Sequence, residues 1–389
     1  MSRIFYISRS DLSDSPYPEV TLPALAAAGH EIVVAAPQAS KSLYRRHLPF
    51  ACEVIDIPLG RKLVAELDVM RRLLSARFGR NDVIYLNSQS MSLRAAIGLS
   101  GPKFGKKILY HNPDYFCPLN FPVSFWLERR LCRMADLYLN VEFHRAYITS
   151  VMYRCRCPVI TCPPNLPLKW PVASASVEKR MLMAGGDPEA FVLMLHGGYH
   201  EWRMTPQLVE ALASLPENVR LVMTGKSPTR DKVDEVLERL SLSNRVVRLP
   251  RMDFDELLSY TVNADAAVLL YMNTDLGNFF TAPGRLTEYL VCGLPLLASD
   301  HTGLENLVVR YNAGVTVDAT KPTSIAAGIR RLEQGVKQNV YTKARMRSVF
   351  EEHFAFEHWE PQFLAAFDAM LKGTPRRIDQ KPPFPWLTT

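Results

Sequence analysis

The sequence predicts an α/β protein built from two Rossmann-like, doubly wound domains. Three observations predict it. Short, wholly apolar runs recur along the chain, helical patterns separate them, and glycines close many of their ends. At 389 residues the chain is also longer than one hydrophobic core ordinarily serves, so two domains of roughly 180–200 residues each are expected.

The elements follow in order. RIFYIS (3–8) reads as a strand, PALAAAGH (23–30) as the end of a helix closed by Gly29, and EIVVAA (31–36) as a second strand. DVIYLN (82–87), KKILYHN (106–112), ADLYLNV (135–141) and CPVITCPPN (157–165) continue the series as buried parallel strands. A proline-rich crossing at 163–171 precedes the second set: AFVLMLHG (190–197), NVRLVMTG (218–225), RVVRLP (245–250), DAAVLLY (265–271), LPLLAS (294–299) and GVTVD (314–318). Between these lie the helical patterns TPQLVEALASL, TRDKVDEVLERL and FDELLSYTVN. One helix is expected from Pro322 to about 338 and a long helical segment over 341–371. The expected domains are 1–168, 169–350, a C-terminal helix at 351–372 that packs back on the first domain, and a flexible proline-rich tail at 373–389.

Composition narrows the function. A 48% hydrophobic and 22% charged chain is ordinary for a globular protein. The first residues carry no secretory pattern, and no apolar run reaches the roughly 18 residues a membrane span needs, so a cytoplasmic location is expected. Seven cysteines are too few for a disulfide framework. The CRCPVITC cluster (Cys155, Cys157, Cys162) lacks zinc-ligand spacing and reads as buried small residues on a strand.

The segment NFFTAPGRLTEYLVCGLPLLASD (278–300) is the most informative. Thr281, Pro283 and Gly284 form a turn that opens a short helix, with Arg285 at its start and Glu288 one turn inside. A helix start offers unpaired N–H groups to an anion, and a single carboxylate beside it accepts hydrogen bonds from vicinal hydroxyls such as those of a ribose. That pairing reads as a site for a nucleoside diphosphate. Gly197 and Gly198 end another strand ahead of Arg203, whose guanidinium fork suits a diphosphate leaving group. Gly225 and Lys226 end a third. His196 and His200 stand four apart, but the glycine pair between them breaks any helix, which argues against a shared metal. Toward the first domain, His111 sits at a strand's C-terminal end, where open α/β sheets place ligands, with Asn112 and Asp114 after it. Asp114 is a candidate base. Asp11, Asp14 and Tyr17 follow the first strand and are expected on the acceptor side.

Charge is uneven. Residues 1–175 hold 22 Lys and Arg against 13 Asp and Glu, while the remainder holds 24 against 26. The basic excess, interleaved with Tyr44, Phe78, Phe104, Phe125 and Trp126, fits an anionic membrane surface or a phosphate-bearing acceptor as well as it fits a plain solvated face. No recognised nucleic-acid-binding module is present.

In sequence order, LHGGYHEWRMTPQLVEAL, VRLVMTGKSP, RVVRLPRMDFDELLSYTVNADAAVLLY and APGRLTEYLVCGLPLLASDHTGLENLV resemble the donor domain of GT-B fold glycosyltransferases, most closely the family 4 (group 1) type. The resemblance is firm over about 190–330 and looser elsewhere. It implies two domains facing a cleft, a UDP- or GDP-sugar donor held by the second, no essential metal and no cofactor. It also implies that Arg203 and Arg251 join the donor-binding residues named above and that His111 contacts the donor sugar. The expected activity is transfer of a sugar to a lipid-linked, polysaccharide or other hydroxyl acceptor, with a cytoplasmic location that includes a peripheral seat on the inner face of the cell membrane. Two departures stand out. The family carries two glutamates eight positions apart, and Phe280 occupies the first position, with Asp275 five residues earlier; Met204 stands where a lysine is usual. A non-catalytic GT-B subunit that partners another glycosyltransferase, or a nucleotide-sugar epimerase, are therefore the alternatives.

Overall fold

The computed structural model describes residues 1–8, 17–37, 50–57, 82–87, 107–112 and 122–373. These divide into two compact units: residues 1–164 together with the segment from 359 onward, and residues 165–358. The second boundary differs from the expected one, since residues 351–358 fall with the second unit rather than with the C-terminal helix.

The first unit runs β1 (Arg3–Ser8), α1 (Tyr17–Ala27), β2 (Glu31–Pro37), β3 (Glu53–Ile57), β4 (Val83–Asn87), β5 (Lys107–His111), α2 (Pro122–Met134), β6 (Leu137–Asn140), α3 (Phe143–Met152) and β7 (Val159–Thr161). The strands pair in parallel in the order β3-β2-β1-β4-β5-β6-β7. β3 is missing from the sequence reading. Its residues EVIDI carry two exposed acids, Glu53 and Asp56, because it lies at the sheet edge, whereas β1, β4 and β5 are buried nearly throughout and so read as continuous apolar runs. The cysteine cluster flanks β7 rather than lying on it: Cys157 and Cys162 are buried on either side, as the small apolar residues expected.

The second unit contains α4 (Val177–Met183), β8 (Phe191–Leu195), α5 (Thr205–Leu212), β9 (Val219–Thr224), α6 (Arg230–Arg239), β10 (Val246–Leu249), α7 (Phe254–Thr261), β11 (Ala266–Leu269), α8 (Leu276–Phe279), α9 (Arg285–Val291), β12 (Leu296–Ser299), α10 (Thr302–Val308), β13 (Gly314–Val317), α11 (Pro322–Lys337) and α12 (Lys343–Val349). Its parallel sheet has the order β10-β9-β8-β11-β12-β13. Alternate residues of β8 serve different cores: Val192 and Met194 pack on one side, Phe191, Leu193 and Leu195 on the other. Strand order reverses between β8 and β11, which makes the carboxyl ends of these two strands the place for a ligand.

The long C-terminal helix expected over 341–371 is broken. A turn of π-helix (Phe350–Phe354) follows α12, Ala355 is extended at φ −60° and ψ 142°, and the amide of Phe356 donates to Leu166 O at 3.0 Å. Helix α13 (Glu360–Lys372) restarts with Pro361 in its first turn and belongs to the first unit, where Phe367 meets the His30 ring edge-on at 5.1 Å. The tail beyond Gly373 lies outside the described residues.

Candidate functional site

The site of the second unit begins with two glycine turns that touch. His196 follows β8 directly, and Gly197 and Gly198 carry φ of 76° and 98°; Gly225 follows β9, with φ of 111°. The amide of Gly198 donates to Thr224 O at 3.0 Å and that of Tyr199 to Lys226 O at 3.2 Å. A Cβ on Gly225 would lie 2.3 Å from Gly198 N, and one on Gly198 would lie 2.6 Å from Lys226 O. No side chain fits between the turns, and their positive φ independently favours glycine.

This compact floor exposes backbone carbonyls that two arginines grip. The turn of 3₁₀-helix Glu201–Arg203 ends at Met204, in the left-handed region at φ 49°, and Arg203 folds back over it. Arg203 Nη1 donates to the carbonyls of His196 at 3.2 Å, Gly197 at 2.5 Å and Gly198 at 3.0 Å. From the first residue of α9, Arg285 Nη1 donates to His196 O at 2.9 Å, and its Nη2 donates to the Tyr271 hydroxyl. Arg285 thereby ties the end of β8 to the end of β11, across the reversal of strand order. Burial and the neighbouring Arg285 push Arg203 down to about 10, so both remain cationic at neutral pH. A buried cation, Arg285, and a partly buried one, Arg203, sharing one acceptor make a site whose charge an anion would balance.

Glu288 supplies the contrasting group. It is 8% exposed, and its side chain accepts no hydrogen bond from any described residue. Burial raises its pKa to about 7, against the opposing pull of Arg285 and Arg203. Its Oε2 lies 3.6 Å from Nδ1 of His196. Burial and the same two arginines hold that imidazole well below its usual pKa, so the contact is not an ion pair. The His196 ring packs on Tyr289 with centroids 4.3 Å apart, and the His196 amide donates to the Tyr289 hydroxyl at 3.1 Å.

The other expected residues are distributed around this centre. Thr281 is buried, with its amide against Gly303 at the start of α10, and Gly284 is the N-cap of α9. Lys226 and Arg251 are exposed at the ends of β9 and β10. Asp275 does not replace the missing carboxylate: it caps α8, accepting from Asn278 N at 3.0 Å, while Phe280 meets Phe279 edge-on at 4.9 Å. His200 sits beside Trp202, and burial and Arg203 push its pKa down to about 4. Among the described residues no three His, Cys, Asp or Glu side chains gather as a metal site.

In the first unit, His111 ends β5 fully buried, with Nδ1 3.2 Å from the Tyr85 hydroxyl, which in turn meets Thr21 Oγ1 at 3.0 Å. Burial lowers its pKa to about 3, so the ring is neutral. Its neighbour Asn112 donates to the buried carboxylate of Glu128 at 2.7 Å, and the Tyr110 hydroxyl donates to the same group. Asp11, Asp14 and Asp114 lie outside the described residues, and Tyr17 begins α1. Sequence reasoning missed the roles of Tyr271, Tyr289 and His196 in the second unit. The signal was a histidine ending an apolar strand before two glycines, together with a Tyr directly after Glu288.

Residues 187–348 match the family model for glycosyl transferases group 1. A segment of 176 residues is 28% identical to the D-inositol 3-phosphate glycosyltransferase of Xylanimonas cellulosilytica, covering 44% of this chain and 39% of that relative, so the match spans about two fifths of the relative's length. Among solved structures, HepE of Anabaena in complex with UDP-glucose superposes with a TM-score of 0.73 at 17% identity, covering 95% of this chain and all of that one. Sucrose-phosphate synthase from Thermosynechococcus elongatus reaches the same TM-score at 16% identity over 96% of this chain and all of that one. These structural likenesses establish the fold, two parallel-sheet α/β units of the GT-B kind.

Proposed function

We propose that this chain, whose residues 187–348 match the family model for glycosyl transferases group 1, is a glycosyltransferase that takes its sugar from a UDP- or GDP-sugar. The observation that carries the reading is Glu288: a carboxylate almost removed from water, without a hydrogen-bond donor, one helical turn from the buried Arg285, which shares the His196 carbonyl with Arg203. A nucleoside diphosphate answers both needs. Its ribose hydroxyls donate to Glu288, and its phosphates balance Arg203 and Arg285. HepE, whose structure contains UDP-glucose, supports the same donor class.

In this reading the chain acts by binding and charge placement. The glycine floor brings backbone close to the phosphates, and the two arginines neutralise the departing diphosphate as the glycosidic bond breaks. No metal is required for that step. The acceptor is a lipid-linked or polysaccharide hydroxyl. Helix α2 supports a peripheral seat on an anionic membrane: Val123 is 60% and Trp126 50% exposed, Arg130 lies over the Trp126 ring at 5.9 Å, and Arg133 is exposed beside them.

Thermal unfolding with UDP, GDP, ADP, CMP and TDP tests the donor site. A nucleotide at 100 times its dissociation constant adds about 2.7 kcal/mol of stability, and the gain is expected from one nucleotide and lost in Glu288→Ala. Phe280, in place of the family's first glutamate, favours one second reading, a non-catalytic GT-B subunit. Nucleotide binding without sugar transfer to any acceptor would support it.

A further inference from the structure

His196 anchors the proposed donor site through its backbone. Tyr289 accepts from its amide, and Arg203 and Arg285 both donate to its carbonyl. The ring itself is 1% exposed. Its Nδ1 faces Glu288, and its enclosed Nε2 makes no hydrogen bond. A buried polar nitrogen without a partner costs about 1–3 kcal/mol, which a leucine or phenylalanine filling the same space would not incur. Something other than bulk accounts for an imidazole here.

We propose that His196 is a positioning residue for Glu288, holding the carboxylate in the ionised form that accepts the donor's ribose hydroxyls. The inference rests on the proposed function and deepens it. The 3.6 Å separation is a few tenths of an ångström beyond a hydrogen bond, so a small approach on ligand binding turns the pair into an Nδ1–H donor and a carboxylate acceptor. The tautomer with its proton on Nδ1 is the one that serves. Glu288 is faced by Arg285, Tyr289 and Cys292 from its own helix, by Arg203 from the 3₁₀ turn and by His196 from the end of β8. His196 is faced by the same two arginines, by Glu288 and by Tyr289. The arginines are engaged with carbonyls and, in the loaded site, with phosphate. That leaves the imidazole N–H as the neutral donor nearest the carboxylate.

The test is calorimetric titration with UDP-glucose, and GDP-mannose beside it, across the neutral pH range. Both carry diphosphates esterified at each end, which do not themselves titrate there. Wild-type affinity is expected to rise with pH and level off once Glu288 ionises. In His196→Phe the rise moves up by about one pH unit, giving about fivefold weaker binding at neutral pH, approaching about tenfold below it, and near wild-type binding in the alkaline range. His196→Asn, which restores an N–H near the same place, recovers most of the loss. Glu288→Gln binds weakly and without pH dependence. Melting curves without ligand establish that each variant is folded. Equal weakening of His196→Phe at every pH, or a pH dependence that survives in Glu288→Gln, overturns the proposal and leaves the functional reading intact. Failure of the wild type to bind either nucleotide sugar overturns both.

Discussion

Arg203 and Arg285 meet on a single acceptor, the carbonyl oxygen of His196, at 3.2 and 2.9 Å. Two guanidiniums so close repel one another, and each approaches an anion more readily than it approaches the other. Arg203→Ala is therefore expected to weaken a nucleoside diphosphate by about 10- to 100-fold, the worth of one charged hydrogen bond, and to leave the parent nucleoside nearly unaffected. Titration of UDP and uridine side by side reads the difference. Equal losses for both would place Arg203 away from the phosphates.

Glu288→Gln is expected to stabilise the protein above neutral pH. The folded carboxyl titrates near 7 and an unfolded one near 4.5, so between those values the native state keeps a proton that the unfolded state has released. Stability falls as pH rises through this window, by on the order of 3 kcal/mol, and remains lost above it. Glutamine removes that slope. Urea unfolding of both proteins should give similar midpoints near pH 4 (about the unfolded value) and a higher midpoint for the variant in the alkaline range.

Gly198→Ala and Gly225→Ala should each destabilise the second unit by about 1–3 kcal/mol from backbone strain alone. The added methyl groups, 2.6 Å from Lys226 O and 2.3 Å from Gly198 N, then force the turns apart. Loss of nucleotide-induced stabilisation should exceed the loss of intrinsic stability, because Arg203 depends on the same carbonyls. Gly186→Ala, where a Cβ meets nothing within 4 Å at a comparable φ of 85°, is the control for strain without crowding.

Asp275 separates a structural from a catalytic carboxylate near the family's missing glutamate. As the cap of α8 it should tolerate Asn, which accepts the same hydrogen bond, and lose about 0.5–2 kcal/mol on change to Ala. A stable Asp275→Asn variant with abolished transfer would contradict the capping account.

The order of strands and helices was legible because nearly every strand is buried on both faces, so apolar runs such as FVLML and LLAS mark it directly. β3 escaped because Glu53 and Asp56, exposed at the sheet edge, interrupt its apolar run. The C-terminal break escaped because nothing local in FEEHFAFEHW announces it; the amide of Phe356 leaves the helix to reach Leu166, a partner nearly two hundred positions away. At the site, Gly197, Gly198, Arg285 and Glu288 carried recognisable patterns. The convergence of Arg203 and Arg285 on one carbonyl, and the burial of His196 against Glu288, arise from three-dimensional neighbourhood between segments about ninety residues apart. Asp275, five residues before Phe280, has its side chain committed to a helix end.

By joining His196 O, just beyond β8, to the Tyr271 hydroxyl, just beyond β11, Arg285 fastens the seam where the sheet's winding changes direction. The cation that would receive a phosphate is therefore also a fastener of the scaffold. A ligand drawing on its charge would be felt as tightening or slackening along that seam, and amide exchange at the ends of β8 and β11 would register occupancy without any movement of the strands themselves.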